Sequence, residues 1–361
     1  MKNIKKYLRK LKSQISYKKL MLNNYMYYRR NNAKSTFKNI KKNSVFLLGT
    51  PEYGNLGDQL IALAETELLI DYYGNDRVVE ITENVIRYDF KYLKKYIKSD
   101  SLLIFQGGGN ISDVWMDQEK LREKVINAYP FNKSIIMPQT VYITNKVNEE
   151  PILKKYDNIN ITVCAREKNT YKMLLERENC NVILCPDIAL YLWDYCKMYR
   201  ENTDKSGIGI CVRKDAESCK FIDVEVLCSN ILDMGLDCEQ FSTVKNEYIL
   251  ASQREEEINK MLSYISGKKL IITDRLHAMI MSYLTGTPCI ALANSNGKVE
   301  GCYEWISSSE NIYFAKCQDE VINNILDLMS KANNDSFEYK DKFVQILKEY
   351  GVSNSGNKKI Y

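Results

Sequence analysis

From residue 44 onward, short apolar runs alternate with stretches of helical spacing, and this alternation narrows the fold more than any other feature of the chain. Val45–Leu48, Val78–Ile81, Leu102–Phe105, Ser134–Met137, Ile161–Cys164 and Val182–Cys185 are each too short and too apolar for anything but a buried strand. Helical patterns separate several of them: Leu60, Ile61, Leu63, Ala64, Leu68 and Leu69 recur within Asp58–Tyr73, and further patterns cover Arg87–Ile97 and the stretch after Arg166 up to Glu176. Strand–helix alternation of this kind predicts parallel sheets covered by helices. A polar stretch at 200–207 contains no apolar residue and reads as a linker. The alternation then restarts, with strands at Ile208–Val212 and Cys238–Phe241, helices at Phe221–Leu232 and Arg254–Ile265, and two helices between Asp319 and Tyr350. The expected organisation is a basic arm (1–43), an N-terminal α/β domain (44–199), the linker (200–207), a C-terminal α/β domain (208–318) and C-terminal helices (319–361).

The second half centres on Lys268–Lys298. Leu270–Ile272 and Cys289–Leu292 read as buried strands, with a helix over Leu276–Leu284 stopped by Gly286. Between the first strand and the helix lies Thr273-Asp274-Arg275-Leu276-His277, which holds the only histidine of the chain. Strand-to-helix junctions are where open α/β sheets bind ligands. Helix-start amides favour an anion, the Arg275 guanidinium adds a forked cation, and an imidazole exchanges protons near neutrality. The competing reading makes His277 a packing residue and Asp274 an N-cap.

Other loops fall at the carboxyl ends of predicted strands. Gly54-Asn55-Leu56-Gly57-Asp58 offers close backbone approach and a carboxylate; its spacing from Gly49 is that of a P-loop, but Asn55 stands where the lysine is required. Gly107-Gly108-Gly109-Asn110 reads as a loop that approaches a ligand, or as a tight turn. Arg213, Arg275 and Lys298 all follow strands of the second half and form a candidate anion cradle, although each alone reads as a surface charge. There is no Asp-x-Asp pair and no Gly-x-Ser-x-Gly elbow, and a lone histidine leaves no His-x-x-x-His. Metal-independent chemistry carried by Arg, Lys and His fits best, with no cofactor.

Charge is distributed unevenly. Residues 1–42 hold fourteen Lys or Arg and no acid, so the remainder of a chain with net charge +5 is acidic. The arm also carries tyrosines and loosely helical apolar residues, a composition suited to an anionic membrane surface. A solvated tail and a nucleic-acid arm are the rivals, and the acidic body argues against nucleic acid. Eleven cysteines without a Cys-x-x-Cys pair, no apolar leader segment and no apolar run of spanning length lead to an expected cytoplasmic location, peripheral on the inner face of the membrane.

Taken in order, Gly54-Asn55-Leu56-Gly57-Asp58, Gly107-Gly108-Gly109-Asn110, Pro138-Gln139, Ala165-Arg166-Glu167, Pro186-Asp187 and Thr273-Asp274-Arg275-Leu276-His277 resemble the polysaccharide pyruvyl transferase family over roughly residues 50–300. The resemblance implies two Rossmann-like domains in a GT-B-like arrangement with a cleft between them. It also implies transfer of an enolpyruvyl-derived group from phosphoenolpyruvate to a sugar of a cell-surface polysaccharide precursor, as a pyruvate ketal, with phosphate released. On that basis Arg213, Arg275, Leu276 and His277 are the expected donor-binding residues; Lys298 joins them from its place after a strand, and Asn55, Gly107, Gly108, Gly109, Asn110, Gln139 and Asp187 of the first half are the expected acceptor side. His277, Arg275 and Asp58 are the expected catalytic groups. The acceptor is expected to be lipid-linked, and domain closure about 200–207 to exclude water. Two alternatives stand beside this reading: a GT-B glycosyltransferase using a nucleotide sugar, and a non-catalytic protein that binds a polysaccharide precursor.

Overall fold

The structure is a computed structural model that describes residues 22–23, 25–26, 28–30, 40–41, 43–213, 218–294, 297–331 and 335–350. Two all-parallel sheets organise it. The first runs β2(Val78–Thr82)–β1(Val45–Thr50)–β3(Leu103–Phe105)–β5(Ser134–Tyr142)–β6(Ile161–Ala165)–β7(Asn181–Leu184), with β4(Gly108–Ser112) also paired to β5. The second runs β12(Ile312–Ala315)–β11(Cys289–Leu292)–β10(Leu270–Thr273)–β8(Ile208–Cys211)–β9(Cys238–Gln240). β1, β3, β8, β10 and β11 are buried at almost every position, which explains why they read as unbroken apolar runs rather than alternating ones.

Several expected boundaries shift. Gly107–Asn110 is not a loop: after a break at Gln106–Gly107 the chain rejoins β5 as β4, with a register shift between Gly108 and Ile111, and Gly108 sits at φ +123° where only glycine is comfortable. β5 does not stop at Pro138-Gln139 but continues to Tyr142, because Gln139 pairs with both Gly108 and Ala165 across a bulge. The helix expected over Arg87–Ile97 is two short ones, Glu83–Tyr88 and Phe90–Leu93, separated at Asp89. Asp89 is buried and accepts from Tyr28 Oη at 2.7 Å and Arg29 at 3.1 Å. Part of the basic arm therefore docks on the first sheet's layer. The membrane reading of residues 1–42 falls mostly outside the described residues; among the described residues no helix is long and apolar enough to cross a membrane.

The core has three layers, and the middle one is shared. Helix α1(Leu56–Tyr73) is buried over most of its circumference, with Thr66, Glu67, Ile70 and Asp71 lying towards solvent. It packs against α2(Ala251–Ser266) and α3(Leu276–Thr285) of the second half. Leu60, Ile61 and Leu68 thus lie in one continuous cluster with Ile258, Leu262, Met279 and Ile280. A buried arginine, Arg254, crosses the same seam to Gln59 Oε1 at 2.8 Å and Glu80 Oε1 at 2.6 Å. Backbone bonds join the halves again, from Leu56 N to Thr243 O at 2.9 Å and from Lys245 N to Gly54 O at 2.8 Å. Closure about residues 200–207, expected from the sequence, is opposed by this layer, since separating the halves would expose it. Of the C-terminal helices, Gln318–Ser330 packs on the second sheet and Lys340–Tyr350 returns to α1.

Candidate active site

Parallel strands present their carboxyl ends on one edge, and here the two edges face each other across a cavity of about 480 Å³. The first half contributes Tyr53, Asn55, Asp58, Gly109, Asn110 and Arg166 to its wall; the second contributes Arg213, Arg275, Leu276, His277 and Lys298. The structure thus gathers most of the residues singled out in the sequence, although they are more than 200 positions apart at the extremes.

His277 lies in the first turn of α3, whose N-cap position is Arg275 rather than Asp274. Asp274 is fully buried and accepts the backbone amides of Arg213 and Cys219, each at 2.8 Å, so it latches the loop that carries Arg213 beside Arg275. Burial pushes the Asp274 carboxyl up, against the pull of these two amides and the neighbouring arginines. Arg275 Nε is buried without a hydrogen-bond partner, an orphan donor of the kind a bound anion can satisfy.

Asp187 was expected to touch an acceptor, but it is buried behind the cavity wall. Its Oδ2 accepts from Arg166 Nη1 at 2.7 Å and stands 3.7 Å from His277 Nε2, while Oδ1 accepts from Ala189 N at 2.9 Å. The 3.7 Å separation is an ion-pair distance, too long for a hydrogen bond. Burial raises the Asp187 carboxyl, but Arg166 and His277 outweigh it and hold the group well below the usual carboxylate range. His277 Nε2 is itself buried and lacks a hydrogen-bond partner. The other edge of the ring lies against Gly57: a Cβ there would fall 2.3 Å from Nδ1. Gly57 is required because the imidazole of one half rests on the backbone of the other.

Gly107, Gly108 and Gln139, also expected on the acceptor side, are buried behind the wall as well. Gly107 N donates to Glu65 Oε1 at 2.7 Å. Gln139 Nε2 donates to Asn110 Oδ1 at 2.9 Å, so it orients Asn110, which does reach the cavity. Asn55 caps α1 through Gly57 N at 3.0 Å and donates to Asp58 Oδ2 at 2.7 Å; Tyr53 Oη reaches the same oxygen at 3.0 Å.

Arg166 was quoted within a motif but given no role by the sequence reading, and it proves central. It is 2% exposed, held by Thr140 Oγ1 at 2.8 Å and by Asp187, and it still lines the cavity. A Cβ on Gly109 would lie 3.0 Å from Arg166 Nη2 and 3.2 Å from Lys298 Nζ, so these two cations, one from each half, converge over a glycine. Lys298 also sits 5.0 Å from the Tyr142 ring centroid. The signal available in the sequence was position: Arg166 directly follows β6, as Arg213 follows β8 within two residues. Four cations against the carboxylates of Asp58 and Asp274 make the cavity suited to a small multiply charged anion. Among the described residues, no group of three or more His, Cys, Asp or Glu is placed to hold a metal ion.

Comparison with known proteins agrees with this architecture. The model of the polysaccharide pyruvyl transferase family matches residues 55–296. General stress protein 30 of Bacillus subtilis (strain 168) is 31% identical over 315 residues, covering 85% of this chain and 91% of that protein. Pyruvyl transferase 1 of Schizosaccharomyces pombe is 28% identical over 318 residues, covering 83% and 76% respectively. Among solved structures, a provisionally named UDP-N-acetylglucosamine 2-epimerase from Listeria monocytogenes superposes with a TM-score of 0.51 at 11% identity, covering 89% of this chain and all (100%) of that one. An uncharacterized protein from Klebsiella pneumoniae gives 0.50 at 19% identity, covering 76% and 94%. At these identities the structural likeness speaks for the two-domain Rossmann-like fold alone.

Proposed function

Because this chain belongs to the polysaccharide pyruvyl transferase family, we propose that its cavity binds phosphoenolpyruvate and passes the enolpyruvyl-derived group to a sugar hydroxyl, forming a pyruvate ketal and releasing phosphate. What carries the proposal is the convergence of Arg166, Arg213, Arg275 and Lys298 with His277 on one cavity. Phosphoenolpyruvate presents a phosphate and a carboxylate on a three-carbon frame, and forked guanidinium groups match both anions.

The chemistry follows from the charges. His277 delivers a proton to the methylene carbon while the π electrons leave C2, so C2 becomes electrophilic. A sugar hydroxyl adds to C2 and its proton passes to Asp58, which Asn55 and Tyr53 hold in place. The C2–O bond to phosphate then breaks, phosphate departing with both bonding electrons toward the cations. A neighbouring hydroxyl closes the ketal and gives its proton to the departing phosphate. Both edges of the imidazole are held in place, Nε2 at 3.7 Å from Asp187 Oδ2 and the Nδ1 edge against Gly57. Asp187 and Arg166 are positioning residues: the carboxylate stands beside the imidazole and the guanidinium balances the carboxylate.

The test is phosphate release from phosphoenolpyruvate over a panel of saccharide acceptors. His277→Ala should abolish release while phosphoenolpyruvate still binds; retained turnover would remove His277 from the acid role.

A further inference from the structure

A second cavity of about 500 Å³ opens beside the first and shares three of its residues, Tyr53, Trp115 and Gln118. Its outer wall adds Glu83, Arg87 and Asp117. On the proposed function's premise of a saccharide acceptor, we infer that this outer cavity is a sugar subsite for the unit next to the one modified, with Trp115 as its stacking platform. The preferred acceptor is then at least a disaccharide rather than a free monosaccharide.

Three observations support the assignment. Trp115 is 45% exposed at the boundary of the two cavities, between Val114 at 48% and Met116 at 38%, a contiguous apolar rim at the mouth of a polar cleft. The rim is anchored. Asp113 accepts from Thr144 N and Asn145 N at 2.9 Å each and from Asn148 Nδ2 at 3.0 Å, and the helix Met116–Ala128 begins directly after Trp115, so the indole is presented on a fixed loop. The charge also changes between the cavities. The inner one gathers four cations, whereas in the outer one Arg87 faces Glu83 at 3.9 Å and Lys245 is paired with Glu257. A wall whose two cations each face a carboxylate, and which adds Asp117, Glu247, amides and an aromatic face, has nothing with which to prefer a phosphate. It fits a neutral polyhydroxyl ring, whose apolar face lies on the indole and whose hydroxyls meet carboxylate and amide groups.

The experiment compares binding, by calorimetry without phosphoenolpyruvate, of methyl glycosides of galactose, glucose and N-acetylglucosamine with methyl lactoside, cellobioside and chitobioside. Each disaccharide carries the same non-reducing sugar as one monosaccharide. At least one disaccharide should bind about tenfold tighter than its monosaccharide, equivalent to about 1.4 kcal/mol. Trp115→Ala should reduce that ratio to near one and Trp115→Phe should retain most of it. Equal affinity for the two lengths, no binding by any member of the panel, or a length preference that survives Trp115→Ala overturns the inference. The two readings fail separately. Phosphate release without length dependence removes the outer subsite only, and length-dependent binding without phosphate release removes the transferase reading only.

Discussion

Placing a methyl group on Gly57 tests the inter-half contact on which the site depends. The ideal Cβ would lie 2.3 Å from His277 Nδ1, 2.7 Å from its Cγ and 2.9 Å from its Cβ. Ordinary contacts of this kind begin near 3.4 Å, so the ring must retreat by about an ångström. A rotamer change cannot deliver this, because the His277 Cβ is itself too close and α3 is locked into the shared apolar layer. Overpacking of this size costs about 1–3 kcal/mol. Alanine in place of glycine near a helix start returns at most about 1 kcal/mol. The net loss for Gly57→Ala is therefore about 1–2 kcal/mol, and in a His277→Gly background, where Cβ is gone along with Nδ1 and Cγ, it should fall to near zero. Urea unfolding of the four proteins of this double-mutant cycle reads the coupling, expected at about 1–2 kcal/mol. Gly57→Ala should also weaken phosphoenolpyruvate binding in calorimetry about tenfold. Additivity of the two substitutions within about 0.5 kcal/mol would refute the reasoning, because it would mean that the ring does not rest on Gly57.

Other perturbations follow from the same geometry. Arg166→Lys should lower phosphoenolpyruvate affinity and destabilise the fold by about 3 kcal/mol, since lysine cannot replace the bonds to Thr140 and Asp187 together; calorimetry and urea denaturation read the two effects. Arg275→Lys should raise the phosphoenolpyruvate Kd at least tenfold with little change in unfolding midpoint. Asp187 has a depressed carboxyl, so its stabilisation is present above the usual carboxylate range and fades as pH falls through it. Asp187→Asn should therefore cost about 3–5 kcal/mol at pH 7 and progressively less in acid, measured by unfolding across pH. Glu83 behaves in the opposite sense. Burial, against the pull of Arg87, pushes its carboxyl to about 7, so its stabilisation is fully present below the ordinary glutamate value of 4.5 and is lost as pH rises through 7. Glu83→Gln should flatten the stability curve between about pH 5 and 8, removing roughly 3 kcal/mol of pH dependence.

How much of this was legible in the sequence depended on whether the signal was local. The strands at Val45–Thr50, Leu270–Thr273 and Cys289–Leu292 were readable because both faces are buried and the residues run apolar without a break. The strand at Ile312–Ala315 and the helix at Met116–Ala128 were missed, the first because its centre is only half-buried, the second because its sequence is mostly polar. Gly107–Asn110 misled for a physical reason: glycines mark a loop by propensity, yet here the partner strand β5 overrides propensity and draws them into a sheet. At the site, Arg275, His277, Asn55 and Asp58 were identified from their place at strand ends. The burial of Asp187 behind His277 and the reach of Arg166 into the cavity depend on packing between halves, which no local pattern encodes. The shared middle layer was invisible for the same reason, since the apolar faces of α1 look alike whether they cover one sheet or two.

The most direct measurement is phosphate release by the full chain supplied with phosphoenolpyruvate and a panel of mono- and disaccharide glycosides, with UDP- and GDP-sugars tested in parallel. The proposed transfer requires phosphate release that depends on both phosphoenolpyruvate and a saccharide and that disappears in His277→Ala. Failure of phosphoenolpyruvate to bind, together with saccharide-dependent turnover of a nucleotide sugar, would contradict it.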